Sequence, residues 1–406
     1  MPSTAIPTTN GEGNNNNVSH LVPVPIPEPA PNFDPSTLPD ASSPSLILTH
    51  PTPAERARTW RLTHPMWGPA LTEKDYLARE AYLTTVPLAR NGGITHWILT
   101  VRDMPPDARP VLSSCESIRK KAISVRDGKV TEGVCHGIAS VFTDPVYRGR
   151  GYASRMMSEL GRVLKGWQAG EEGALFSVLY SDIGKQFYAK HGWAPFESSH
   201  VAIRPRKREE GVKEVAVPIG YHELAELACV DERLLRKDLA SRRDGRTHVA
   251  LLPELDAFLW HMMREDFMTK CIFGRTPTVR GAVAGKPGQR VWAIWMRGYY
   301  GGLKKMEGNT LHVLRVVVED ENQPNEELVD GLRSIIRIAQ HEAAEWFAQE
   351  IHVWNPPPKV KFLIEKTGIE FEFVNRDKDS IASLMWYSEG PAEEVNWVAN
   401  EKYAWC

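Results

Sequence analysis

Residues 148–153 read Arg-Gly-Arg-Gly-Tyr-Ala and join two segments of different character. Before them runs the apolar stretch Gly137-Ile138-Ala139-Ser140-Val141-Phe142-Thr143, and after them residues 154–164 form an amphipathic stretch. A strand must therefore turn sharply, at glycines, into a helix. The first amides of a helix have no intrahelical acceptor and sit at the positive end of its dipole, so such a junction attracts phosphate. Glycine lets the backbone approach the anion, and Arg148 and Arg150 add charge. The expected cradle is Arg148, Gly149, Arg150, Gly151, Tyr152 and Ala153, with Ser154. It has neither the Gly-Lys-Ser/Thr of a Walker loop nor the glycine spacing of a dinucleotide fingerprint.

The rest of the composition narrows the class. A chain of 406 residues with 42% hydrophobic content can bury a sizeable core in two or three domains. Charged residues make up 25% and the net charge is -2, so no nucleic-acid partner is expected. The five cysteines are scattered and no Cys-x-x-Cys pair occurs, which points away from a disulfide framework and from a metal site. Residues 1–55 contain no Lys or Arg, against a secretory or mitochondrial leader, and no apolar run reaches membrane-spanning length. A cytoplasmic protein without a membrane partner is the expectation.

Residues 1–44 are rich in Asn, Pro, Ser and Gly and read as a disordered tail. From Leu46 the pattern becomes globular: a strand at 46–49, helices at 53–62 and 72–83, and strands at 96–101 and 111–117. A hairpin at 118–133 turns at Asp127-Gly128, and the strand 134–143 feeds the glycine loop. The helix 154–167, the strand 174–179 and a helix 183–191 ended by Gly192 follow. After the basic cluster Arg204, Arg206, Lys207 and Arg208 the order repeats: Gly192 follows Val141 by 51 positions, and Gly368 follows Val318 by 50. Where the first half carries Arg-Gly-Arg-Gly, the second carries Asn322-Gln323-Pro324-Asn325-Glu326-Glu327, whose acids would repel phosphate.

The loop, with Pro145 three residues ahead of it, resembles the acetyl-CoA pyrophosphate loop of the GCN5-related N-acetyltransferases (GNAT). Phe187-Tyr188-Ala189-Lys190-His191-Gly192-Trp193 resembles that superfamily's Phe-Tyr-x-Lys-x-Gly-Phe segment. The resemblance implies an α/β (α+β) chain: a GNAT fold with a mixed central sheet over 45–205, then a second, degenerate GNAT-like lobe over 206–406 that lacks the CoA loop. It implies acetyl-CoA as co-substrate, with no metal. Val141, Phe142 and Thr143 would pair the pantetheine arm through main-chain groups, Tyr188 would act as general acid toward the thioester sulfur, and Ser181 stands where many members place an Asn that contacts CoA. For the general base the candidates are His136, which we single out, Glu116, Glu132 and an ordered water.

Met66-Trp67-Gly68, Tyr76-Leu77-Ala78-Arg79-Glu80 and Gly92-Gly93-Ile94-Thr95-His96-Trp97-Ile98-Leu99 are similar to segments of a fungal family of L-lysine ε-amino acetyltransferases of lysine degradation. That likeness implies a small-molecule amine acceptor, L-lysine first, whose carboxylate is held by a basic group. A protein or histone lysine acetyltransferase and a non-catalytic CoA-binding module remain as alternatives.

Overall fold

The computed structural model describes residues 33–208, 211 and 213–405. The first half contains β1 (Leu46–Thr49), α1 (Pro53–Trp67), α2 (Glu73–Leu83), β2 (Ile94–Val101), β3 (Ser113–Arg126), β4 (Lys129–Phe142), α3 (Tyr152–Leu164), β5 (Phe176–Ser181), α4 (Gln186–Ala189), β6 (Ala194–Pro195) and β7 (Ser199–Ile203). The second half contains β8 (Val217–Ile219), α5 (Leu224–Ser241), β9 (Thr247–Leu251), α6 (Leu255–Phe273), β10 (Gly281–Ala284), β11 (Val291–Tyr299) and β12 (Asn309–Val318). It ends with α7 (Asn325–Glu345), β13 (Glu350–Trp354), α8 (Pro358–Lys366), β14 (Glu372–Asn375), β15 (Ile381–Trp386) and β16 (Val395–Trp397).

Local chemistry accounts for the key boundaries. Thr52 and Glu55 close a reciprocal capping box on α1, with Pro53 at its first position. Thr72 accepts the Asp75 amide at the start of α2. Asp127 and Gly128 both have positive φ, at 49° and 80°, so the β3–β4 turn matches the twist of two 14-residue strands. The separate strands expected at 111–117, 118–133 and 134–143 are thus one long hairpin.

Two mixed sheets result, and each is completed by the other half of the chain. The first runs β1-β2-β3-β4-β5-β15-β6, with β9 and β16 added beyond β3; the second runs β14-β7-β13-β12-β11-β10-β8. β4 and β5 pair in parallel, as do β12 and β13, so the two halves share one topology. The exception is the penultimate position of each sheet. β7, from the first half, pairs with β13 and β14, whereas β15, from the second, pairs with β5 and β6. A cut at 205/206 therefore separates two stretches of sequence but not two self-contained sheets. One apolar core spans the junction, burying Phe176, Val178, Phe258, Trp292, Leu384 and Tyr403 together.

Of the expected tail, residues 1–32 lie outside the described residues, and 33–44 pack against the first lobe. Arg150 donates to the Pro35 and Leu38 carbonyls, the Tyr152 hydroxyl to Pro39 O at 2.7 Å, and Arg155 Nη1 to Ala41 O at 3.0 Å. Leu38 is buried among Leu46, Tyr147 and Tyr152. The disorder read into 33–44 from composition gives way to these bonds and to that burial.

The core also holds imidazoles in their neutral form. Burial lowers His136 from 6.5 to about 4 and His200 to about 3, and holds His261 and His312 well below their ordinary value. As pH falls below 6.5 the unfolded chain takes up protons that the folded chain refuses, so stability is lost between the ordinary and the folded values. Each of His136 and His200 is expected to cost about 2 kcal/mol at pH 5 relative to pH 7.5. Thermal melts should show a lower Tm at pH 5; an unchanged Tm would contradict this account.

Candidate active site

The sheet opens where the glycine loop begins. β4 pairs with β5 only from Cys135 to Ile138. On its other edge the register with β3 shifts, so that Ser140 and Val141 together face the single residue Cys115, and Ser140 adopts φ 54°. This bulge bends β4 away from β5 and leaves the 139–142 backbone edge facing a gap. Beyond it, Asp144 caps a short turn and Arg148 N bonds Pro145 O. Gly149 and Gly151 then take φ of 78° and 82°, the left-handed region that favours glycine. Gly151 is the N-cap of α3. A Cβ at Gly149 would meet nothing within 4 Å, so an anion can come up to the backbone there.

The gap leads into a cavity of about 390 Å³, the size of a small-molecule site. Ser140, Val141, Glu116 and Tyr188 line it on the first-lobe side. Glu116 is nearly buried; it accepts a bond from Ser140 Oγ at 3.0 Å. His96 Nε2 lies 3.1 Å from Glu116 Oε1, though off the line of a good hydrogen bond. Burial alone would raise the Glu116 carboxyl, but His96 and Ser140 over-compensate and hold it below the ordinary 4.5. It is thus a carboxylate at neutral pH. Tyr188, 8% exposed, has its hydroxyl pushed well above 10 by burial first and then by nearby Cys115 and Asp182, so it keeps its proton. An anionic acceptor of protons and a neutral donor of one therefore share the cavity.

The sequence-expected residues divide into those that reach this space and those that do not. Val141 lines the cavity. Phe142 packs edge-on to Trp67 and under Arg148, and the Thr143 hydroxyl bonds Ser113 at 2.7 Å, so both side chains are engaged within the protein. The loop arginines are partly spent: Arg148 Nε donates to Thr143 O, and Arg150 holds the 35–38 segment. The Tyr152 hydroxyl is likewise bound to Pro39, while Ala153 and Ser154 stand in the first turn of α3, whose leading amides have no intrahelical acceptor.

Two of the expected residues do not reach the cavity. His136 lies away from the cavity: its Nε2 bonds Trp167 O at 2.8 Å, and burial leaves it neutral down to about pH 4. Ser181 Oγ donates to Gly184 O at 2.6 Å and accepts the Ile183 amide, so this buried serine holds the turn after β5 and does not line the cavity.

The second half supplies the roof, with Trp260 and Arg264 from α6, Tyr300, His312, Trp354, Lys402 and Trp405. Nothing in the local sequence marked these residues, because only the strand exchange and the return of the C-terminal segment bring them to the first lobe. The equivalent gap of the second sheet is closed. Arg315 pairs with Asp231 through two 2.8 Å bonds and with Glu401, whose other oxygen accepts Val316 N at 3.1 Å. Glu326 and Glu327 occupy the first turn of α7. Among the described residues, the loop before α7 carries no glycine cradle. Among the described residues no cluster of His, Cys, Asp and Glu could hold a metal ion, and no helix is long and apolar enough to cross a membrane.

Comparison with known proteins bears on these features. The profile of the LYC1 GNAT-like C-terminal domain family matches residues 200–406. A Saccharomyces cerevisiae protein named Uncharacterized protein YGR111W is 22% identical over 383 residues, which are 84% of this chain and 92% of that protein. A Yarrowia lipolytica protein named Lysine acetyltransferase is 24% identical over 289 residues, 61% of this chain and 71% of that one. Among solved structures, Saccharomyces cerevisiae N-myristoyltransferase with bound myristoyl-CoA superposes with a TM-score of 0.50 at 9% identity, covering 89% of this chain and 84% of that one. That likeness is one of fold.

Proposed function

The chain belongs to the family of the LYC1 GNAT-like C-terminal domain and is a GNAT-type acyltransferase, and from that premise we propose that it moves the acetyl group of acetyl-CoA to the ε-amino group of free L-lysine in cytoplasmic lysine degradation. The observation that carries the reading is the meeting, in one cavity, of the opened β4 edge, the Glu116 carboxylate and the Tyr188 hydroxyl.

Acetyl-CoA supplies an activated acyl group; the residues here supply position and proton transfer. The amides at Gly149–Ser154 hold the pyrophosphate, and the 139–142 backbone pairs the pantetheine arm. A lysine ε-ammonium has an ordinary pKa of ~10.4 and cannot attack while protonated. Glu116 takes that proton, directly or through one water, with Ser140 and His96 fixing its orientation. The Tyr188 hydroxyl gives a proton to the sulfur as the C–S bond breaks.

A small acceptor is supported by the roof, which covers the cavity with aromatic side chains from the second half, and lysine as that acceptor by the likeness to the Yarrowia protein named Lysine acetyltransferase. The test is product identification. Protein incubated with ¹³C-acetyl-CoA and lysine should yield Nε-acetyl-lysine by NMR; Nα-acetyl-lysine, or no acetylated lysine, would overturn the reading.

A further inference from the structure

The cavity contains a guanidinium, that of Arg264, that no carboxylate pairs directly among the described residues. Arg264 projects from α6 into the space between the two halves and lies 5.6 Å from the Trp405 ring. Among the described residues it has no hydrogen bond and no ion pair. Its neighbour Arg79 is the contrast. Arg79 Nε donates to Glu80 at 2.8 Å, Nη2 bonds the same carboxylate, and Nη1 meets Trp67 O and the Met268 sulfur. Glu80 is therefore already committed, and Arg79 adds a second positive charge beside Arg264. Desolvation first, and Arg79 next, push the Arg264 guanidinium below its ordinary value. The remaining cation at this end, Lys402, sits between the rings of Trp354 and Trp405 at 4.0 and 3.9 Å.

A half-buried cation beside another cation costs free energy unless an anion arrives. The planar fork of arginine matches a carboxylate through two parallel bonds. The same cavity is lined by the anionic Glu116 of the first half. The lining thus sets the Glu116 carboxylate beside the opened strand edge and the Arg264 guanidinium, without an ion pair of its own among the described residues, on the second-half side, while Glu80 is bound to Arg79.

We propose that Arg264 is the anchor for a carboxylate of the acceptor, so that the substrate class is a free amino acid carrying a distal amine. This rests on the acetyl-transfer reading above. It gives the second lobe, closed to CoA at its own gap, a part in the chemistry: it selects the acceptor. Polyamines carry no group for Arg264, and a lysine within a peptide has its carboxyl tied up in an amide.

The test compares lysine with lysinamide, which keeps both amines and loses only the carboxylate. The wild-type protein is expected to favour lysine in kcat/KM by roughly 10²-fold, the scale of a charge-assisted pair in a desolvated site. Arg264→Gln should bring that ratio close to one, Arg264→Lys should restore part of it, and the KM for acetyl-CoA should not follow either change. A ratio preserved in Arg264→Gln, with lysine still acetylated by the wild type, overturns the anchor and leaves the function standing. If neither amine is acetylated, the acetyl-transfer reading falls. Equilibrium binding of lysine and lysinamide to the same proteins then judges the anchor, and equal affinities in the wild type overturn it.

Discussion

Tyr188→Phe is expected to lower kcat for acetyl transfer about 10²-fold, the usual worth of a positioned general acid, with little change in the KM for acetyl-CoA. The expectation follows from where the hydroxyl stands. It lines the cavity, has no protein hydrogen-bond partner among the described residues, and is held protonated by burial. Removing one oxygen leaves the ring, which packs edge-on against Phe187 and carries the burial, so the fold should survive. Steady-state kinetics with saturating acetyl-CoA and lysine separate the two parameters. An unchanged kcat would remove Tyr188 from the chemistry; a raised KM with unchanged kcat would make it a binding residue only.

Glu116→Gln should cost at least as much, roughly 10² to 10³ in kcat/KM for the amine. The substitution keeps the shape and the Ser140 contact while removing the proton acceptor. Because His96 and Ser140 hold the wild-type carboxylate below 4.5 against the effect of burial, Glu116 is already ionised across the neutral range. The rise of kcat/KM with pH is then set by the acceptor ammonium, near ~10.4, and not by an enzyme group near neutrality. Glu116→Gln should keep that rise at a lower level, and Glu116→Asp should recover part of the rate. A bell centred on a histidine pKa in the wild type, or a loss under about threefold in Glu116→Gln, would assign the base elsewhere.

The parts of this arrangement that sequence made legible are those set by local rules. Glycine φ fixed the loop, Asp-Gly fixed the hairpin turn, and Thr72 fixed the start of α2. Spacing between Val141 and Gly192 and between Val318 and Gly368 disclosed the repeated lobe. What sequence concealed depends on residues far apart in the chain. β7 and β15 each obey strand patterning, but the choice of sheet is a matter of topology, and pairs such as Ser181 with Ile381 are invisible to a local reading. The same holds for β9, which joins the first sheet beside β3, and for Arg264, an unremarkable arginine on a largely buried helix until the lobes meet. His136 misled because a strand histidine just before the loop has the right address in sequence and the wrong neighbours in space. Its ring faces Trp167, whereas Glu116, one strand over, lines the cavity.

The measurement that tests the central claim most directly is CoA thiol release by the purified full-length chain given acetyl-CoA and, in separate reactions, free lysine, ornithine, spermidine or a lysine-containing peptide. The account predicts release with free lysine well above that with spermidine or peptide. Ornithine, one methylene shorter, should fall behind lysine by only ~10–200-fold. Release with the peptide alone, or with none of the four, would contradict it.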